Sequence, residues 1–288
     1  MLNLKNTKEA AMKGVFFLSA CFSIIALLLI ILFIFANGVP FIAEYGFFDF
    51  IFGMDWAPTN NVPLYGIFPM IIGSIYVTLG AAIVGVPIGI LTAVFMAEFC
   101  PPILYKVLKP ATNLMAAIPS IVYGFFALRV FTPFIRENIG GNGYSVLTAS
   151  VLLGIMILPT VIGLSESALR AIPKTYYTGS VALGATHERS VFRVLLPAAK
   201  SGIFSSVILG IGRAIGETMA VVLIAGNQAI IPDNLLSGVR TLTTNIVIEM
   251  AYATGQHREA LIATAVVLFG FILLINSIFL YFKNKEAS

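Results

Sequence analysis

Apolar residues in this chain fall into long blocks, with the polar and charged positions gathered between them. Six blocks are long enough to cross a hydrocarbon core, which takes about 20 helical residues; they cover roughly 14–36, 69–97, 112–132, 146–165, 203–226 and 260–282. The second carries Gly85, Pro87 and Gly89, which predicts a kink facing protein or water, where freed carbonyls find new donors. Two long segments separate blocks on the side opposite the N-terminus. The first, 37–68, is rich in Phe, Gly and Pro and holds Trp56, and it reads as an interfacial elaboration. The second, 227–259, contains Pro232-Asp233-Asn234 and an apolar stretch over 242–252. That stretch is too short to span, so a re-entrant or surface-lying helix is expected.

Composition agrees with the pattern. Hydrophobic residues make up 59% of the 288 and charged ones 10%, with mean hydropathy +0.98, against about a quarter charged in an ordinary soluble domain. The fold class expected is therefore an all-α integral membrane protein with six transmembrane helices. The net charge of +4 tracks the ends of the apolar blocks and contains no basic run interleaved with aromatics, which excludes a nucleic-acid surface. With the N-terminus inside, the inner segments hold twelve of the 17 Lys and Arg and every lysine, including Lys5, Lys8, Lys106, Lys109, Lys174, Lys200, Lys283 and Lys285. Both termini are then cytoplasmic. The first block is too long for the apolar core of a signal peptide and reads as a retained span. Cys21 and Cys100 sit in or beside apolar segments and act as small hydrophobes.

Two constellations stand out. The inner connection 166–200 holds Thr178-Gly179-Ser180, a break at Gly184-Ala185, and an amphipathic stretch that ends at Leu196-Pro197. Small residues, a glycine bend and a closing proline predict two short helices that another protein can approach closely. The second constellation is Gly210-Ile-Gly212-Arg213-Ala-Ile-Gly216-Glu217-Thr218, inside the fifth block. Arg213 falls near mid-membrane, where a charge costs at least about 2.5 kcal/mol. Glu217, four residues on, would share its helical face and pair with it. That pair is either structural or a site where guanidinium donors meet a multiply charged oxyanion. Ser120 and Thr218 are further candidate donors to an anion, although such hydroxyls commonly bond their own helix. The two histidines, His187 and His257, fall in an inner and an outer loop, so they cannot share a metal within one chain. No metal site, no nucleophile-base set and no GxxxxGK[ST] loop occurs.

The run from Gly184-Ala-Thr to Leu196-Pro197 resembles the EAA loop of ABC-importer membrane subunits, with Thr178-Gly179-Ser180 in place of Glu-Ala-Ala. Gly-Arg-Ala-Ile-Gly-Glu-Thr-Met-Ala at 212–220 and Ala117-Ile-Pro-Ser120-Ile-Val-Tyr123-Gly are similar to segments of the phosphate-specific permeases PstC and PstA. Val239-Arg240-Thr-Leu-Thr-Thr-Asn245 is like the outer segment of the PstC family in particular. The resemblance implies a type I ABC importer permease fold in a bacterial or archaeal cytoplasmic membrane. It divides the chain into an N-terminal segment with the first span (1–64), a permease core (65–282) with the coupling loop at 166–200, and a cytoplasmic tail (283–288). It implies that the chain binds no cofactor and is no enzyme, ATP and Mg being held by a partner ATPase. The partners implied are a second, PstA-like permease subunit, a PstB-like ATPase dimer and a PstS-like extracytoplasmic phosphate-binding protein, with Arg213, Glu217, Thr218 and Ser120 lining the pathway. The alternatives are an importer half for sulfate or molybdate and an ion-coupled secondary carrier. The secondary carrier would call for more spans and a repeated half.

Overall fold

The computed structural model describes the backbone of residues 2–287 and the side chains of residue 9 and of residues 12–281. The side chains of Lys5, Lys8, Lys283 and Lys285, and all of the 283–288 tail except helical backbone through 287, lie outside the described residues. The order is α1 (Leu2–Tyr45), α2 (Phe47–Phe52), a hairpin of β1 (Trp56–Ala57) and β2 (Leu64–Tyr65), then α3 (Phe68–Val94), which widens into a π-helical turn, Phe95–Phe99. Next come α4 (Pro102–Ala117), α5 (Ser120–Arg129), α6 (Phe131–Asn138), α7 (Val146–Arg170), α8 (Lys174–Ala182) and α9 (His187–Ser190). A second π turn, Val191–Leu195, leads into α10 (Leu196–Ala198), α11 (Lys200–Gly216), α12 (Met219–Ile224), α13 (Leu242–Glu249) and α14 (Gly255–Ala287). The hairpin is antiparallel, pairing Trp56 with Tyr65 and Ala57 with Leu64.

Among the described residues four helices are long and apolar enough to cross a membrane unaided, and counting each bent helix pair as one crossing raises the number to six. Two sequence expectations are corrected. The third span is not one helix over 112–132: its two halves, 102–117 and 120–138, meet at 95°. Pro119 is the cause, because its ring drives the preceding residue out of the helical region, and Ile118 is extended at φ −66°, ψ 127°. The fifth span, expected unbroken over 203–226, ends as α11 at Gly216 and resumes as α12 at Met219. The second span stays helical through Pro87 and ends in the π turn. Gly85 and Gly89 serve packing. A Cβ on Gly85 would stand 2.5 Å from the Gly154 carbonyl and one on Gly89 2.7 Å from Val161 Cγ1, so α3 and α7 touch nearly backbone to backbone.

This seam runs through a central core of Val77, Ala81, Ala149, Leu152, Leu153 and Ile157, which α5, α11 and α12 complete through Ala127, Ala214 and Ala220. An outer cluster of Phe41, Phe50, Tyr65, Ile67, Met70 and Leu242 joins the end of α1 to the hairpin and α13. An inner cluster of Val94, Leu169, Val191, Leu195, Ala199 and Ile203 seats the 166–200 connection. By contrast, the most apolar stretch of α1 has none of its residues buried. The helix packs near its outer end on α14, where Gly38 meets Ala263 and Val266 and Phe35 meets Phe269 edge-on with ring centres 5.8 Å apart.

Candidate substrate pathway and coupling loop

The two breaks meet in space. Gly124 of α5 lies so close to α12 that a Cβ there would stand 2.8 Å from Ala220 Cα. Arg213, half-buried in the last turn of α11, donates from Nη1 to Thr160 Oγ1 of α7 at 3.4 Å. The Tyr123 phenol of α5 donates to the Met115 carbonyl at 2.9 Å. The expected Arg213–Glu217 pair is not formed. The helix stops before Glu217, whose backbone is extended at φ −70°, ψ 131°, so four residues of separation no longer set the two side chains on one face. Glu217 instead accepts from the Ala220 N–H through Oε1 at 3.2 Å, and its carbonyl accepts from Thr243 Oγ1 at 3.1 Å. Thr218 turns its hydroxyl to the Gly216 carbonyl at 3.2 Å. Ser120 opens α5, half-buried. Among the described residues no carboxylate lies within ion-pair distance of Arg213.

The coupling loop folds as two short helices about a bend, as its sequence predicts. Gly184 takes φ +86°, a left-handed conformation that is costly for a residue with a Cβ. Thr178, Gly179, Gly184 and Pro197 are exposed, while Ser180, Ala185 and Leu196 are half-buried. Thr178 bonds the Lys174 carbonyl at 3.2 Å, and Ser180 Oγ lies 2.7 Å from Ser190 Oγ, tying α8 to α9. Thr186 caps α9 by accepting from the Arg189 N–H. The Glu188 carboxyl is held below the usual carboxylate range by its own backbone N–H and the Thr186 hydroxyl. His187 fixes the loop to the body: Nε2 stands 3.2 Å from the Glu98 carbonyl and Nδ1 3.0 Å from Tyr177 Oη. A carbonyl only accepts, so Nε2 carries the proton, and in that tautomer Nδ1 accepts a hydrogen bond from the Tyr177 hydroxyl. Leu183, at the tip beside Gly184, is 91% exposed.

Two charged clusters escaped the sequence reading. On the inner side Glu166, 1% exposed, accepts from Tyr105 Oη at 2.6 Å, Lys109 Nζ at 2.7 Å and Arg170 Nε at 2.9 Å, and Arg170 also donates to the Met96 carbonyl. On the outer side Glu249 Oε1 takes Arg240 Nη1 at 2.6 Å, and its Oε2 takes Trp56 Nε1 at 2.9 Å and faces His257 Nε2 at 2.8 Å. The signal for the first was the Glu166/Arg170 spacing of four at the end of an apolar block. Only the fold brings Lys109, Trp56 and His257 to these carboxylates.

Residues 85–286 match the family described as "Binding-protein-dependent transport system inner membrane component". The chain is 40% identical to a probable ABC transporter permease protein YqgH of Bacillus subtilis, the match covering 79% of this chain and 76% of that one. It is 31% identical to a probable phosphate transport system permease protein PstC of Methanocaldococcus jannaschii, over 93% and 91%, and 30% identical to PstC of Pasteurella multocida, over 80% and 78%. Among solved structures it resembles the MetNI methionine ABC transporter in inward-facing form, with TM-score 0.63 and 21% identity over 76% of this chain and 95% of that one. That likeness speaks to the fold, which is that of a type I ABC importer permease. On the strength of these matches the chain belongs to the binding-protein-dependent transport system inner membrane components, multi-pass permease subunits of ABC importers.

Proposed function

We propose that this chain forms one half of the translocation pathway of an ATP-driven importer for inorganic phosphate. Arg213 carries the reading. An arginine in the middle of a span, held by a threonine hydroxyl and free of any carboxylate partner, keeps guanidinium donors available to an oxyanion. The broken helices add to this, because unwound backbone at membrane depth is tolerated where it lines a cavity. Glu217 and Thr218 stand in that break, and Ser120 opens the facing half-helix. The PstC relatives supply the substrate, which one arginine and one carboxylate do not specify.

The partners that complete this reading are a PstA-like second permease subunit, a PstB-like ATPase dimer that binds ATP and Mg, and a PstS-like phosphate-binding protein outside. The exposed Leu183, Gly179 and Thr178 enter a groove of the ATPase. ATPase and binding protein each favour one of two arrangements of the helices, so access alternates. The test is uptake of radiolabelled phosphate by the assembled complex, comparing wild type with Arg213→Ala and Arg213→Lys at matched membrane levels. Uptake lost by about a hundredfold in the alanine variant is expected, from about 3 kcal/mol of charge-assisted hydrogen bonding. Wild-type uptake in both variants would return Arg213 to a packing role, and an assembled wild type that moves no phosphate would assign the pathway to another oxyanion.

A further inference from the structure

The break between α11 and α12 leaves backbone carbonyls that no helix satisfies. The Gly216 carbonyl takes the Thr218 hydroxyl from its own strand of chain. The Glu217 carbonyl takes a hydroxyl from elsewhere, Thr243 in the first turn of α13. A threonine hydroxyl has one proton, and a carbonyl cannot donate, so the Thr243 proton is committed to Glu217. Thr243 can therefore only accept in its 3.0 Å contact with Thr241 Oγ1. The Thr244 hydroxyl donates to the Thr241 carbonyl, so the single Thr241 proton is shared between Thr243 Oγ1 and Thr244 Oγ1, at 3.0 and 3.2 Å.

The Thr241 end of this network cannot drift. Thr241 and Thr244 cap α13 reciprocally, and the Leu242 N–H is held by Ser74 Oγ of α3 at 3.0 Å. At its other end α13 is fixed by Glu249 through Arg240, Trp56 and His257. A short helix clamped at both ends thus presents one hydroxyl to the elbow of the fifth span. We infer that Thr243 is the positioning residue for Glu217: it holds the unwound elbow so that the carboxylate turns to the α12 amides and leaves Arg213 unpaired. This rests on the pathway reading of Arg213. Without the Thr243 bond the elbow is free to close toward a continuous helix, the geometry in which Glu217 and Arg213 share a face and the guanidinium is occupied by its neighbour.

The test uses the full complex and phosphate itself. Thr243→Val removes the hydroxyl at nearly constant shape, and Thr243→Ser keeps it; Arg213→Ala serves as the reference for the pathway. The expected result is a maximal uptake rate about tenfold lower in Thr243→Val, restored to within about twofold in Thr243→Ser. Should the valine variant fail to assemble, Thr243→Ala set against Thr243→Ser carries the same comparison. Wild-type uptake in Thr243→Val, with Arg213→Ala impaired, would overturn the role of Thr243 and leave the pathway reading intact. A serine variant as impaired as the valine would overturn it too, since the hydroxyl would then not be what matters. Wild-type uptake in Arg213→Ala would remove the pathway reading, and this inference with it.

Discussion

Glu166 shows how much a single side chain can hold. Almost wholly buried, it gathers Lys109 and Tyr105 of α4 and Arg170 one turn along its own helix. A buried carboxylate is tolerated only when its lone pairs are met by donors, and here three side chains meet them. Glu166→Gln removes the charge while keeping the shape, and turns one acceptor into a donor facing donors. We expect it to cost about 2 kcal/mol, seen as a lower thermal-unfolding midpoint of the detergent-purified protein. An unchanged midpoint would remove this cluster from what holds α4 to α7. The sequence made Glu166 the first residue of a loop, because the hydrophobic block ends near residue 165. Hydropathy stops counting where charge begins, whereas the helix runs on to Arg170 precisely paired through that charge. Arg213 is the opposite case. Its position was legible, and its partner was not, because spacing along a helix says nothing once the helix has ended.

At the scale of elements, glycine divides the helices into rigid and broken parts. Along α3 and α7 the close approaches at Gly85 and Gly154 leave no space for a side chain. Gly85→Val would push against the Gly154 carbonyl, backbone that cannot step aside, and against the Ile157 side chain, at a cost of about 3 kcal/mol. Gly163, on the same helix α7, has open space around it, so Gly163→Ala serves as the matched control. The fraction of each variant eluting as a single species, with its thermal midpoint, decides the matter: equal behaviour would mean that the seam yields. The sequence offered these glycines as signs of a kink, and the structure shows them in a tight crossing. Within the expected third and fifth spans the helix stops at Pro119 and at Glu217, of which the first is written in the residue before a proline and the second depends on Thr243, a residue distant in sequence. Short elements fared better, since the two helices about Gly184 and the helix within 242–252 both rest on local chemistry: a left-handed glycine and a threonine cap.

For the whole molecule, the inner face presents one tip. Leu183 stands almost fully in solvent beside Gly184, on a loop that His187, Tyr177 and Phe99 fasten to the end of the second span. Leu183→Asp places a charge where an apolar contact with the ATPase is proposed, and should lower recovery of the ATPase with the purified chain about tenfold or more, given about 1.5 to 3 kcal/mol for burying a leucine. Recovery equal to wild type would move the docking contact elsewhere on the loop. The crossings were legible from block length, which gave six apolar blocks where the described residues hold four spanning helices, or up to six with each bent pair counted as one. How the crossings pack was not, and α1 is the plainest instance. Its neighbour is α14, the last helix of the chain, met at Gly38 through Ala263 and Val266. A ribosome adding roughly 5–20 residues per second needs some tens of seconds to pass from one to the other. Helix α1 therefore waits among lipids until α14 has been made, and the contact of the two at Gly38 forms only then.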